Sequence, residues 1–184
     1  MEFHQHIETS QGEIWTANAI TNGFVKSDSE SRQHYEAAFL RAMLKAILGE
    51  AQLDHEPNGA PFLKNRPDTC ISISHSEEWF TVYLSEKQQI GIDIEIPSSR
   101  MEKSKKYFLT DIEIEQLQPS SKQLAICWGI KESVVKLLRG KINSMKNDIQ
   151  ITTIDGNQAG AIHQDQKIKL GHEQTEAYTL VYTV

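Results

Sequence analysis

The stretch Ile90-Gly91-Ile92-Asp93-Ile94-Glu95-Ile96 decides how the rest of the chain is interpreted, because isoleucine occupies every second position. Side chains of a β-strand alternate between its two faces, so the pattern predicts a strand within residues 88–96 whose isoleucines face the core. Asp93 and Glu95 then lie together on the other face, with Cα atoms about 6–7 Å apart. Two carboxylates at that spacing can share a hard cation such as Mg²⁺. Taken alone, however, the alternation favours an ordinary amphipathic strand with its acids in water.

The glycine in this strand has a second implication. Gly91 has no side chain, so a ligand could approach the backbone beside the two carboxylates.

Composition bounds the class of protein. The chain has 184 residues, 39% of them hydrophobic, and a net charge of −6, which suggests one domain or two small halves around a shared core. The acidic balance argues against nucleic acid as a partner, because phosphate contacts need lysine and arginine. No apolar run approaches the roughly 18 residues of a membrane span, and the N-terminus does not resemble a secretion signal. Two widely separated cysteines fit reduced thiols, so we expect a cytoplasmic protein without a membrane partner.

Local patterns predict the remaining elements. In the first part of the chain, residues 2–18 should form a hairpin and residues 32–48 a long helix closed by Gly49. Residues 50–68 should form a loop, and residues 69–96 a three-stranded meander in which His75 turns the chain. In the second part, residues 98–107 should form a short helix ending at Tyr107 and residues 111–118 a helix with a capping box. A longer helix over residues 122–139 should end at Gly140, and three strands should follow at residues 148–154, 161–170 and 176–184.

The helix predicted over residues 122–139 carries polar residues that complement the acidic strand. Trp128, Glu132 and Lys136 share one face, away from the apolar stripe that includes Ile130 and Val134. A glutamate and a lysine four residues apart commonly form only a surface salt bridge. Here they belong to the string Trp128-Gly129-Ile130-Lys131-Glu132-Ser133-Val134-Val135-Lys136, which begins some thirty residues after Glu95.

The strand motif G-I-D-I-E followed by W-x-x-K-E-S-x-x-K resembles the 4′-phosphopantetheinyl transferase superfamily. In detail it is similar to the monomeric, surfactin-synthetase-activating type. Three further segments agree with that resemblance, namely Phe39-Leu40-Arg41, Ser72-Ile73-Ser74-His75-Ser76, and Tyr107-Phe108-Leu109-Thr110 with Glu113 and Leu117. The ordered resemblance covers about residues 35–140.

This resemblance implies an α+β fold of two α/β halves related by a pseudo-twofold axis, with the active site between them. The halves would be residues 1–95, with the first helix, the S-H-S segment and the metal strand, and residues 96–184, with the W-x-x-K-E helix and the C-terminal sheet. Such a protein is expected to be a monomer. It would transfer the phosphopantetheine arm of coenzyme A to a serine of an apo acyl or peptidyl carrier protein and release 3′,5′-ADP.

The resemblance also implies roles for individual residues. Asp93, Glu95 and Glu132 would hold Mg²⁺, and Glu132 would act as the base, directly or through water. Lys136 would meet a phosphate of coenzyme A as a catalytic and substrate-binding cation. The remaining substrate-binding candidates are Arg41, His75 and Ser74. For Lys131, which lies nearer the apolar stripe, a structural role and a functional role are both open.

One position departs from the family pattern. Gly59-Ala60-Pro61 stands where the family usually has Gly-Lys-Pro, so a lysine is lost at Ala60, and Lys64 or Arg66 could replace its charge. An impaired homologue that binds coenzyme A or a carrier domain without transfer is therefore an alternative. A metal-dependent nuclease is a weaker one, because the acidic chain has no nucleic-acid footprint.

Overall fold

The chain forms eleven β-strands and five helices in the computed structural model, which describes residues 1–184. The strands are β1 Gln5–Glu8, β2 Glu13–Asn18, β3 Leu53–His55, β4 Pro61–Leu63, β5 Cys70–Ser76, β6 Trp79–Ser85, β7 Ile92–Glu95, β8 Gln150–Asp155, β9 Gln158–His163, β10 Gln166–Gln174 and β11 Thr179–Thr183. The helices are α1 Arg32–Leu48, α2 Ser99–Phe108, α3 Asp111–Leu117, α4 Ser121–Leu137 and α5 Met145–Asp148. No helix combines the length and the apolar character that crossing a membrane would require.

A four-stranded antiparallel sheet, in the order β1-β2-β6-β5, forms the first part of the molecule. The predicted N-terminal hairpin is confirmed as β1 and β2. The predicted long helix is confirmed as α1, which begins after the cap Ser31 and ends at Gly49, where φ is +74°. One face of α1 packs on the sheet, with Tyr35, Phe39 and Met43 in a common apolar cluster.

Strand β7 does not complete a meander with β5 and β6, so that prediction is wrong. Both edges of β6 are already paired, one with β2 and the other with β5. Strand β7 instead pairs antiparallel with β11, at the edge of a second sheet in the order β7-β11-β10-β9-β8. A local turn pattern cannot show that a sheet edge is occupied by a strand from elsewhere in the chain.

The alternation of isoleucines is confirmed for three of the four, whereas Ile96 is only partly buried. Ile90, Ile92 and Ile94 are almost fully buried and pack in one cluster with residues of both sheets. That cluster also contains Ile14 and Tyr83 from the first sheet, and Tyr178 and Leu180 from the second part of the chain. The strand therefore joins the two sheets through a shared core.

Several boundaries differ from the predictions. The predicted loop 50–68 contains the small hairpin of β3 and β4. Strand β5 extends through Ser76, so His75 is a strand residue and does not lie in a turn. The region after residue 148 has four strands where three were predicted, and α5 precedes them. The capping box of α3 is confirmed, with Thr110 and Glu113 as its two members.

The fold combines helices with antiparallel sheets, which is compatible with the predicted α+β class. The division at residues 95 and 96 into two halves related by a pseudo-twofold axis remains a prediction. Strand β7 ends at that boundary, but its strand pairing is with the second sheet.

Candidate active site

Helix α4 lies directly on β7, and two glycines allow this close approach. A Cβ atom added to Gly91 would lie 1.8 Å from the carbonyl oxygen of Ser133 on α4. A Cβ added to Gly129 would lie 2.5 Å from Cγ2 of Val181 on β11. The space beside Gly91 is therefore filled by the helix, and the expectation that a ligand approaches there is wrong. Because the backbones are so close, side chains of α4 reach the acidic face of β7.

Asp93 is the centre of the resulting polar cluster. The residue is only 5% exposed, and its Oδ1 accepts hydrogen bonds from the Ser74 hydroxyl and the Lys136 ammonium, both at 2.8 Å. Lys136 also donates to the carbonyl oxygen of Ile92 at 2.9 Å. The second carboxylate oxygen, Oδ2, is buried and has no hydrogen-bond partner. An unpaired buried carboxylate oxygen is costly, so this atom is a candidate ligand for a cation.

The other two predicted metal ligands, Glu95 and Glu132, are close enough to Asp93 for its charge to affect them. Burial raises the pKa of Glu95, and the charges of Asp93 and Glu132 raise it further, while a hydrogen bond from the Ser76 hydroxyl at 3.1 Å opposes the shift. Burial also raises the pKa of Glu132, with a further contribution from Asp93 and an opposing one from Lys136. The charge of Asp93 therefore disfavours the ionised form of both glutamates, and a bound cation would relieve that repulsion.

This donor set fits Mg²⁺ in chemistry. Three carboxylates offer hard oxygen ligands, and Oδ2 of Asp93 still lacks a partner. In their present positions, no three histidine, cysteine, aspartate or glutamate side chains form a group that could hold a metal ion. The ammonium of Lys136 lies on Asp93 instead. Mg²⁺ commonly binds through one or two carboxylates together with substrate phosphates and water, so a complete protein cage is not required.

Two predicted substrate-binding residues lie apart from this cluster. His75 is on the opposite face of β5 from Ser74, stacked on Phe80, with Nε2 3.6 Å from a carboxylate oxygen of Glu36 on α1. Arg41 is exposed on α1, where it lines a separate groove together with residues of the β3 region. The structure brings Ser74 and Lys136 to the carboxylates but not Arg41 or His75, and the substrate-binding roles of these four residues remain predictions.

Lys131 has a structural position. Its side chain is fully buried, and its ammonium lies 2.7 Å from Oε1 of Glu113 on α3. The ammonium also donates to the backbone carbonyl of Ile149, and the same Glu113 oxygen accepts from the amide of Ile151 at 2.8 Å. This ion pair joins α3 and α4 to the start of β8, and Lys131 has no exposed surface with which to meet a phosphate.

A cleft of about 210 Å³ adjoins the cluster. We call it the α4 cleft. It is lined by the loop 58–61, residues 71–73 of β5, Gln89, two residues at the end of α4, Val135 and Lys136, and two that follow the helix, Arg139 and Gly140. Ala60 lies in this cleft, whereas Lys64 and Arg66 do not line it. Lys64 pairs with Asp54 at 2.6 Å, and Arg66 donates to the carbonyl of Leu48 at 2.8 Å. Neither residue therefore replaces the lysine missing at position 60.

Arg139 is the lining residue that sequence reasoning missed. The helix was predicted to continue to residue 139 and to close at Gly140, so an arginine before that glycine was counted as an ordinary helical residue. In the structure α4 ends at Leu137, and Arg139 has a φ of +51°. The only signal in the sequence is the position of Gly140, which is separated by one residue from Leu138, the last apolar residue of the stripe.

Comparison with known proteins agrees with the geometry. The family model of the 4′-phosphopantetheinyl transferase superfamily matches residues 89–182, just over half of the chain. Comparison with curated proteins gave no match. The matched segment begins just before β7 and contains α4, so it includes Asp93, Glu95, Glu132 and Lys136. The chain belongs to the 4′-phosphopantetheinyl transferase superfamily.

Proposed function

We propose that this protein transfers the 4′-phosphopantetheine group of coenzyme A to a serine of an apo acyl or peptidyl carrier protein, with release of 3′,5′-ADP and in dependence on Mg²⁺. The observation that carries the proposal is the contact between α4 and β7, which places Lys136 on Asp93 beside Glu95 and Glu132. Family membership supports phosphopantetheinyl transfer in general. The substrate, the metal and the acceptor are the proposed part.

The reaction is a phosphoryl transfer at the diphosphate of coenzyme A. The serine oxygen of the carrier forms a bond to the phosphorus next to the pantetheine arm, and the bond from that phosphorus to the 3′,5′-ADP oxygen breaks. Such a reaction needs positive charge on the phosphate oxygens and a base for the hydroxyl proton. Mg²⁺ held by Asp93, Glu95 and Glu132 would supply charge neutralisation when bound.

The protein's own groups provide the remaining functions. Glu132 is the proposed base for the hydroxyl proton, acting directly or through water, because its carboxylate lies near Asp93 and Lys136. Lys136 is the proposed phosphate contact, because its ammonium lies at the carboxylates and lines the α4 cleft. Ser74 and Ser76 hold Asp93 and Glu95 in position through their hydroxyl groups.

The finer type is also a proposal. The resemblance of residues 35–140 supports the monomeric, surfactin-synthetase-activating type. The two sheets of one chain meet in a shared core around Ile92 and Ile94, which supports an active site formed between two halves of a single subunit.

The decisive experiment is to mix the protein with an apo carrier protein, coenzyme A and Mg²⁺ and to measure the intact mass of the carrier. A phosphopantetheine adduct is expected, and chelation of Mg²⁺ should prevent it. Absence of the adduct with carriers of both the fatty-acid and the peptide-synthetase type would refute the proposal. In the same assay Asp93→Ala should abolish transfer without unfolding the protein, and full activity of that variant would refute the metal assignment.

A catalytically impaired homologue is the second candidate, and Ala60 is the observation that favours it. The cleft has a methyl group where the family usually places a lysine. Calorimetry with coenzyme A separates the two functions, because an active transferase should bind it more tightly when Mg²⁺ is present. An impaired homologue should show no such dependence.

A further inference from the structure

Strands β5 and β7 face each other where the two sheets meet. β5 is at the edge of the first sheet and β7 is at the edge of the second, so each has one edge that no strand pairs. Across this gap the amide of Ile92 donates to the hydroxyl of Ser72 at 3.1 Å, and the amide of Ile96 donates to that of Ser76 at 3.3 Å. In both pairs the β7 residue lies 20 positions after the serine, so the two strands run side by side in the same direction.

The contacts come from three serines on one face of β5, which we call the serine row: Ser72, Ser74 and Ser76. Side chains two residues apart on a strand share a face, so the row follows β7 along its length. A hydroxyl group has one proton and two lone pairs. It can therefore accept from a strand amide, as the carbonyl of a neighbouring strand would, and still donate its proton to a carboxylate of β7.

Ser74 donates its proton to one particular oxygen of Asp93. The hydroxyl bonds Oδ1 at 2.8 Å, and the Lys136 ammonium bonds the same oxygen at 2.8 Å, whereas Oδ2 is buried without a partner. The terminal torsion of an aspartate is broad and roughly two-fold. Lys136 has a flexible stem and can follow a rotation of the carboxylate. The short side chain of Ser74 is held by its strand, so it determines that Oδ2 is the oxygen left for a cation.

Ser76 constrains Glu95 in a similar way. Its hydroxyl accepts from the amide of Ile96 and donates to Oε1 of Glu95 at 3.1 Å. The end of a long glutamate side chain is thereby tied to the backbone of its own strand. Ordering such a side chain costs conformational entropy, and this hydrogen bond orders it before any cation binds.

We propose that Ser74 and Ser76 are positioning residues that determine which carboxylate oxygens Asp93 and Glu95 present to a cation. The proposal rests on the proposed function and deepens it. Ser74 is only 7% exposed, and its single proton is already donated to Asp93. Such a hydroxyl offers a phosphate only lone pairs, and a phosphate needs donors. Ser74 therefore serves the metal site, in place of the contact with coenzyme A that the family resemblance implies.

Calorimetric titration of the whole protein with Mg²⁺, without coenzyme A, tests this role. Ser74→Ala and Ser76→Ala should each weaken Mg²⁺ binding about ten- to hundredfold, the usual effect of removing a group that orients a metal ligand. Ser76→Thr keeps the hydroxyl on a residue that suits a strand, so it should bind Mg²⁺ within about threefold of the unaltered protein. Ser76 is only partly buried, so its variants test the proposal even if Ser74→Ala does not fold.

Ser72→Ala is the matched control from the same row, because Ser72 bonds the amide of Ile92 and no carboxylate. It should lower the urea midpoint of unfolding, since a buried amide loses its acceptor, and leave Mg²⁺ affinity within about twofold. Binding of coenzyme A in the presence of a chelator is the second measurement. Ser74→Ala should bind it within about twofold of the unaltered protein, because the serine does not contact the substrate.

Three results would overturn the proposal and leave the proposed transfer intact, which the intact-mass assay of the unaltered protein measures separately. The first is normal Mg²⁺ binding by a folded Ser74→Ala or Ser76→Ala. The second is an equal loss in Ser72→Ala, which would make the whole junction responsible. The third is weaker binding of coenzyme A by Ser74→Ala without metal. If the unaltered protein binds no Mg²⁺, the proposed metal site fails first, and the inference fails with it.

Discussion

The ammonium of Lys136 lies 2.8 Å from Oδ1 of Asp93, so the first predicted metal ligand already has a cationic partner within the protein. The two side chains come from α4 and β7, and the same ammonium also binds the carbonyl of Ile92. In this arrangement the lysine offsets part of the negative charge of the three carboxylates. A metal ion at Asp93 must share that carboxylate with Lys136 or displace the lysine toward a substrate phosphate.

Replacing Lys136 should therefore have opposite effects on metal binding and on transfer. In Lys136→Met the carboxylates lose an adjacent positive charge, so Mg²⁺ binding without substrate should tighten by about three- to tenfold. The rate of holo-carrier formation should fall by about a hundredfold or more, because a phosphate contact is lost. Calorimetric titration with Mg²⁺ and the intact-mass assay measure the two effects. Lys141→Met, at an exposed lysine, is the matched control.

Weaker or unchanged Mg²⁺ binding in Lys136→Met would show that the lysine and the metal do not use the same carboxylate. A retained transfer rate would show that Lys136 does not contact the reacting phosphate.

Gly91 should be the least tolerant glycine near the site. In Gly91→Ala the added Cβ would meet the carbonyl oxygen of Ser133 at 1.8 Å, and the atoms it meets on α4 belong to backbone that cannot rotate away. We expect a loss of about 3 kcal/mol or more in the free energy of unfolding, together with loss of transfer, because α4 must move off β7. Urea denaturation measures the change.

Gly140→Ala is the control, since no atom lies within 4 Å of the added Cβ and only the φ of +69° opposes the side chain. That strain should cost about 1 kcal/mol. Equal losses in the two variants would mean that the contact between helix and strand is not tight.

The buried pair of Lys131 and Glu113 should contribute to folding and not to substrate binding. Lys131→Met leaves the Glu113 carboxylate buried without its counter-charge and should cost about 3–5 kcal/mol. The double variant Lys131→Met with Glu113→Gln should recover part of that loss, because no uncompensated charge remains. Chemical denaturation measures stability, and coenzyme A affinity is measured at a temperature where the variant is folded. A specific loss of affinity in a fully folded Lys131→Met would contradict the structural role.

His172 should give stability a pH dependence on the acidic side. The residue is only 5% exposed, and its Nε2 has no hydrogen-bond partner. Burial lowers the pKa of the imidazole from the ordinary value of 6.5. Below pH 6.5 the unfolded chain takes up a proton that the folded chain does not, so stability is complete above that pH and falls as the pH drops. The slope from this residue is at most about 1.4 kcal/mol per pH unit.

Unfolding free energies of the unaltered protein and of His172→Gln, measured between pH 7.5 and about pH 5, test the effect. The variant should show a smaller slope, and the same substitution at exposed His55 should not. Identical slopes for the unaltered protein and His172→Gln would refute it.

Local order was well predicted where neighbouring residues decide it. The alternating isoleucines were correctly assigned to one buried face, because side chains of a strand alternate whatever lies beside it. Helix α1 and the capping box of Thr110 and Glu113 were found for the same reason, since a cap and an apolar stripe are contacts within one turn or one helix. The motifs of β7 and α4 are sufficient to indicate the family from the sequence alone.

The sequence alone therefore predicted the long helices, the main strands and their buried faces, and it proposed the residues of the site. Only the tertiary structure decided their partners. Strand β7 joins β11 because both edges of β6 are occupied, and Lys136 reaches Asp93 because Gly91 lets α4 lie directly on the strand. Arg139 lines the α4 cleft from beyond the helix, which ends at Leu137, two residues before its predicted end. Competition for a sheet edge and the packing of distant segments involve the whole chain at once, so no local pattern contains them.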